Sequence, residues 1–242
     1  PAEPAPSNDK PADHQCHAAP FAGKKILSDG HVDIKASLKN GKLGLALKDE
    51  TGQLDRKATE RNLNDVAFTV SDQAKFHRSD AMMDPALDFI GEAGSAFYGV
   101  PQTQIPGIIW PGYNTQDVDF SQLKGGVKLH IEPKTMPDQG HFGMYQQSGL
   151  GGIEPILDSQ KGQDTIDVTY GTHVHANWVF TQPGNYIFNT YYTATLADGT
   201  EISSDQQDLS FAVGNQAVSD CTAATVEDDG EDKPNDAAPS AD

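Results

Sequence analysis

The sequence predicts an all-β fold, an immunoglobulin-like antiparallel β-sandwich with disordered N- and C-terminal tails. Short alternating apolar runs and regularly spaced turn residues predict the strands. The two ends contain too few apolar side chains to pack a core of their own. We expect one sandwich or two closely packed β units, and favour two. The predicted regions are an N-terminal linker (1–20), a β unit (21–121), an immunoglobulin-like unit (122–221) and an acidic tail (222–242).

The first two strands flank the dipeptide Asn40-Gly41, the strongest short signal for a β-hairpin. Apolar and polar residues alternate on both sides of it, which predicts that each strand has one buried face. Two more turns are predicted, at Gln182-Pro183-Gly184 between strands 173–181 and 185–196, and at Asp198-Gly199. Further strands, each bounded by Gly, Pro or Asp, are predicted at residues 66–70, 127–131, 142–146, 153–157, 166–170 and 209–213.

Residues 80–116 are too rich in Pro and Gly for more than about one helical turn, which is expected near residues 85–89. The segment carries Phe97, Tyr98, Trp110 and Tyr113. A long aromatic loop is usually either a packed cover or a binding surface. We favour a cover over one end of the sandwich.

The 242 residues include 17 basic and 35 acidic side chains, for a net charge of −18. Such a chain repels phosphate backbones and anionic lipids, which argues against nucleic-acid and membrane-surface partners. No apolar run is long enough to span a bilayer. Residues 225–242 hold seven acids and one lysine, which is a third of the net charge, and are expected to be a solvated spacer.

The two cysteines, Cys16 and Cys221, lie just inside the two polar ends. In an exported protein they are expected to form one disulfide, the alternative being two free thiols. The segment His14-Gln15-Cys16-His17 resembles a metal site, but its setting in the linker favours coincidence. Because the chain starts at Pro1, we expect that a targeting segment has been removed.

Two histidine pairs predict a metal site. On a strand, residues i and i+2 point to the same face, so His173 and His175 project together. His31 and Asp33 have the same spacing at the start of the first hairpin. Three imidazoles and one carboxylate suit zinc, with manganese or iron as alternatives. The competing interpretation is that these histidines are structural hydrogen-bonding residues.

The other histidines in the body of the chain receive weaker assignments. His141, between Gly140 and Phe142, is a possible fourth ligand. His130 alternates with apolar neighbours and is expected on the solvent face of a strand. His77 is expected to be exposed in a charged loop.

Three segments resemble the repeat domain of actinobacterial surface-anchored proteins of the choice-of-anchor M type. They are Gly30-His31-Val32-Asp33, the PQTQIPGIIWPG run at 101–112, and residues 172–200, which start THVHANWVF. The resemblance implies export, attachment to the cell envelope, and service to a neighbouring metal-type ABC transporter. It also implies that His31, His173 and His175 are the metal-binding histidines. No LPxTG-like signal is present, so we expect that the anchor was removed or the protein is released.

The residues therefore predict an extracellular or cell-surface protein that captures a transition metal, zinc first. The resemblance adds uptake by an ABC transporter, whose substrate-binding component would be the partner. The second hypothesis is a zinc hydrolase, although neither HExxH nor GxSxG occurs. The third is an adhesion module with structural histidines, whose aromatic segment binds glycan, haem or a protein.

Overall fold

The computed structural model describes residues 13–223, which form seventeen strands and one α-helix. The strands are β1 (Lys25–Leu27), β2 (Gly30–Lys39), β3 (Lys42–Asp49), β4 (Thr59–Arg61), β5 (Val66–Val70), β6 (Lys75–His77), β7 (Ala96–Val100), β8 (Ile109–Asp117), β9 (Leu123–Thr135), β10 (Phe142–Gln147), β11 (Ile153–Asp158), β12 (Thr165–Val168), β13 (His173–His175), β14 (Asn177–Phe180), β15 (Gly184–Leu196), β16 (Glu201–Ser203) and β17 (Gln207–Val213). The helix α1 is Asn215–Thr222. Short 3-10 turns lie at Leu63–Asp65, Asp72–Ala74, Asp80–Met82, Pro85–Ile90, Phe120–Gln122 and Ser159–Lys161.

The strands form three sheets, so the predicted β class is confirmed while the immunoglobulin-like sandwich is not. Sheet A has the order β1-β5-β17-β15-β9-β12, with β16 paired to β15. Sheet B has the order β13-β8-β2-β3-β4, and sheet C the order β11-β10-β14-β7-β6. The pairs β1–β5, β5–β17 and β2–β8 are parallel, unlike the antiparallel arrangement expected from the sequence.

The expected boundary near residue 122 does not separate the sheets. In every sheet, a strand before residue 122 pairs with a strand after it: β5 with β17 in sheet A, β8 with β13 in sheet B, and β7 with β14 in sheet C. Residues 13–223 therefore do not divide at this point into the two units 21–121 and 122–221, because each sheet needs strands from both halves of the chain.

The first hairpin forms as predicted. Asn40 and Gly41 have φ values of 51° and 72°, the left-handed backbone that a two-residue hairpin turn requires. The register pairs Leu38 with Leu43 and continues to Val32 opposite Asp49. The other strands predicted at residues 66–70, 127–131, 142–146, 153–157, 185–196 and 209–213 are confirmed within β5, β9, β10, β11, β15 and β17, and 166–170 in part by β12.

The predicted strand 173–181 is two strands in two sheets. It breaks at Ala176, with β13 in sheet B and β14 in sheet C. The turn predicted at 182–184 leads from sheet C into sheet A, so the two strands that flank it do not form a hairpin. Buried Trp178 pairs across from Met144 and Val100 in sheet C, and these long-range neighbours determine where the strand lies.

The predicted aromatic loop at 80–116 contains β7, all but the last residue of β8, and two 3-10 turns, at Asp80–Met82 and Pro85–Ile90. The prediction of one loop was therefore wrong, although the short helical turn was placed correctly. Pro111 and Gly112 disfavour strand structure, but β8 has hydrogen-bonded neighbours on both sides, β2 and β13, which outweigh that propensity.

The main core lies where the three sheets meet. Trp178 of sheet C packs against Phe211 of sheet A, with ring centroids 5.7 Å apart. The hydroxyl of buried Tyr192 in sheet A donates to the Ile34 carbonyl in sheet B at 2.7 Å. This contact fixes β2, which carries two of the predicted metal ligands, to the core.

The predicted disulfide between Cys16 and Cys221 is confirmed. Cys16 is buried and Cys221 lies on α1, a helix that the sequence did not predict. Residues 13–20 of the predicted linker are thus held against the fold, whereas residues 1–12 of that linker and residues 224–242 of the acidic tail lie outside the described residues. Between residues 13 and 223, no helix is both long and apolar enough to cross a bilayer.

Candidate metal centre

The candidate site is built on three adjacent strands of sheet B. β2 carries His31 and Asp33, and β13 carries His173 and His175, each pair at the i, i+2 spacing that places side chains on one face. β8 runs between these strands, parallel to β2 and antiparallel to β13. The four candidate ligands therefore come from two strands that do not pair with each other.

Gly112 on β8 makes it possible for these side chains to meet. It pairs with Asp33 on one side and with His175 on the other, so the three residues form one row across the sheet. Two strand spacings of about 4.8 Å separate the outer strands. A Cβ on Gly112 would lie 2.8 Å from His175 Cε1 and 2.9 Å from Asp33 Oδ1. The missing side chain leaves the space into which the ligands converge.

Four donor atoms approach one another above Gly112. The Nε2 atoms of His31, His173 and His175 are 3.1–3.2 Å apart in all three pairs. Asp33 Oδ1 is 3.2 Å from Nε2 of His31, 2.8 Å from Nε2 of His173 and 3.9 Å from Nε2 of His175. Three mutually facing imidazole nitrogens cannot all hydrogen-bond to one another, because each neutral ring has only one N–H. The arrangement is typical of ligands that share a cation.

The six distances fit a four-coordinate metal ion. They define a single point about 2.0 Å from all four atoms, which is the usual zinc–nitrogen and zinc–oxygen distance. A regular tetrahedron with that radius has edges of about 3.3 Å, close to the observed mean. The longest edge, from Asp33 to His175, shows that the tetrahedron is distorted on this side.

Polar residues outside the cluster orient two of the four candidate ligands. Glu50 Oε2 accepts from His31 Nδ1 at 2.7 Å, which leaves Nε2 of that ring free for a metal. The other Glu50 oxygen forms an ion pair with Lys48 at 2.9 Å. The Asn114 amide donates to Asp33 Oδ2 at 3.2 Å, so Oδ1 is the oxygen directed at the cluster.

Trp110 packs over a third member of the cluster, His175. Its ring stacks on His175 with centroids 3.7 Å apart and an interplanar angle of 14°, and it lies 5.2 Å from the His31 ring. The indole N–H donates to the Gln102 carbonyl at 3.0 Å, which fixes the ring in this orientation. Nδ1 of His175 is buried near the Pro111 carbonyl, but the two groups do not form a hydrogen bond.

The environment sets different proton affinities for the ligands. Burial, together with the neighbouring His31, lowers the pKa of His175 to about 4, so this ring is neutral at pH 7. The hydrogen bond to Asp33 raises the pKa of His31 despite partial burial, and Glu50 acts in the same direction. Burial alone would raise the pKa of Asp33, but the hydrogen bond from His31 holds it below its usual value. The cluster thus combines a carboxylate with at least one neutral imidazole, as metal binding requires.

The structure brings together His31, Asp33, His173 and His175, and these four could hold a metal ion. His141 does not join them; its backbone N–H donates to the hydroxyl of Thr181, the residue after β14.

The remaining histidines lie outside the cluster. His130 is half-buried, stacks on Tyr191 and contacts the Thr193 hydroxyl at 2.9 Å, and so lies on the outward face of β9. His77 is exposed, as predicted, but it is the last residue of strand β6 and does not lie in a loop. His14 and His17 flank the disulfide, and neither belongs to the cluster.

Four residues of the site were missed by the sequence predictions: Glu50, Trp110, Gly112 and Asn114. Trp110, Gly112 and Asn114 follow one another at the i, i+2 spacing on β8, a signal hidden by treating this segment as a loop. Glu50 could have been predicted from the sequence, because the hairpin register places it beside His31.

No family model, curated protein or solved structure matches this chain. The resemblance to choice-of-anchor M repeat proteins therefore stays a prediction, and the interpretation of the site depends on its geometry.

Proposed function

We propose that this protein captures a transition metal ion outside the cell, and that the ion is zinc. The ion is held by His31, Asp33, His173 and His175. The observation that carries the proposal is the common point about 2.0 Å from four donor atoms on two separate strands. Three nitrogens and one oxygen at this distance suit zinc better than the larger, oxygen-preferring cations.

The geometry favours binding over catalysis. Hydrolytic zinc sites commonly have three protein ligands and keep a further position for water. Here four protein atoms converge, and Trp110 covers the His175 side of the site. A fully liganded ion is suited to capture and transfer.

The disulfide supports the extracellular assignment, because such bonds persist in oxidising compartments. The net charge of −18 attracts cations to the protein surface. Delivery to the substrate-binding component of an ABC transporter is proposed from the sequence resemblance alone.

The proposal is tested by metal titration of untagged protein that has been stripped with a chelator. We expect one zinc ion per chain by elemental analysis after dialysis, and a rise in melting temperature on adding zinc. His173→Gln should abolish both effects, while the matched variant His141→Gln should retain them. No bound zinc in the wild-type protein, or equal loss in both variants, would contradict the proposal.

A further inference from the structure

The four ligands differ greatly in how firmly the fold holds them. Asp33 has no exposed surface, and the side chains of His175 and His31 are 10% and 18% exposed. The side chain of His173 is 33% exposed, the highest value of the set. One side of the site therefore faces solvent, and His173 lies on that side.

Contacts outside the cluster show the same asymmetry. Glu50 holds His31, Asn114 holds Asp33, and Trp110 stacks on His175. The polar and ring contacts of the His173 side chain are all with the other three ligands. Within residues 13–223, no side chain from outside the cluster hydrogen-bonds to or stacks on this ring.

The backbone of β13, which carries both His173 and His175, is also less supported than that of β2. β13 has three residues and lies at the edge of sheet B, paired only with β8. β2, in contrast, has hydrogen-bonded neighbours on both sides. Short edge strands open at lower cost than central strands, because fewer contacts are lost.

We infer that metal exchange takes place at His173: an external imidazole, presented by an accepting or donating partner, replaces this ligand first. His31, Asp33 and His175 keep the ion during the exchange, and the incoming nitrogen occupies the position that His173 leaves. The number of metal–ligand bonds stays constant, because one metal–nitrogen bond forms as another breaks. This inference rests on the proposed function and adds the chemistry of the partner and its direction of approach.

The inference is tested by imidazole rescue of two matched cavity variants, His173→Gly and His175→Gly. Both should bind zinc at least about 100-fold more weakly than the wild type, since each lacks one ligand. Free imidazole at about 50 mM should raise the zinc affinity of His173→Gly by at least about ten-fold. It should raise that of His175→Gly by less than about two-fold, because Trp110 covers the cavity that His175 leaves. Equal rescue of both variants, or rescue of His175→Gly alone, would overturn the inference.

A second measurement uses the wild-type protein, so its result does not depend on whether the glycine variants fold. Zinc transfer from the loaded protein to a chromophoric pyridylazo-resorcinol chelator is followed by stopped-flow absorbance. The rate should rise in proportion to added imidazole, and a rate independent of imidazole contradicts the inference. A wild-type protein that binds no zinc refutes the proposed function instead, so the two failures are distinguishable.

Discussion

Replacing Gly112 by alanine adds one methyl group at the point where the ligands converge. The Cβ would lie 2.7 Å from the Val174 carbonyl oxygen, 2.8 Å from His175 Cε1 and 2.9 Å from Asp33 Oδ1. Restoring ordinary contact at about 3.4 Å requires shifts of about 0.5–0.7 Å in these groups. Metal–ligand distances tolerate about 0.2 Å, so the site should lose its geometry.

The expected result is a loss of zinc affinity of at least about 100-fold, measured by competition with a chelator of known affinity. Overpacking should cost the metal-free protein about 1–3 kcal/mol, so it should remain folded. Gly171→Ala is the matched control, because a Cβ there meets its nearest atoms at 3.7 and 3.8 Å. If Gly112→Ala binds zinc as tightly as this control, the steric explanation is refuted.

Three further predictions follow from other contacts. Glu50→Gln should weaken zinc binding by about ten-fold with the fold intact, because the carboxylate that orients His31 is lost; Glu60→Gln, in the same sheet, is the control for the titration. Replacing Cys16 and Cys221 by serine should cost up to about 5 kcal/mol in the free energy of unfolding, given their separation of 205 residues, and equal melting temperatures would contradict this. The pKa of His175 is about 4 in the folded protein and about 6.5 in the unfolded metal-free chain. Between these two pH values the unfolded chain binds one more proton, so the free energy of unfolding falls as the pH is lowered. Urea unfolding should therefore show wild type losing up to about 2 kcal/mol more than His175→Gln between pH 7 and pH 5, and an equal loss would refute the assignment.

Local patterns in the sequence were enough to predict the four residues that the structure brings together. The i, i+2 spacing placed His173 beside His175 and His31 beside Asp33, because strand geometry alone determines which side chains share a face. The two-residue turn at Asn40-Gly41 also determines the hairpin register.

Long-range pairing could not be predicted from the sequence. The position of β8 between β2 and β13 depends on a parallel pairing of segments about eighty residues apart in the chain. When the position of β8 is not known, Gly112 is interpreted as a turn residue and Trp110 as part of a covering loop. The same limit explains why the strand 173–181 was not divided, since the break at Ala176 arises from strand partners in two different sheets.

The central claim is tested most directly by a crystal structure of the zinc-loaded protein with diffraction data collected on both sides of the zinc absorption edge. The expected result is one anomalous peak per chain, about 2.0–2.1 Å from Nε2 of His31, His173 and His175 and from Oδ1 of Asp33. A zinc peak bound elsewhere, or no peak above Gly112 at saturating zinc, would contradict the account.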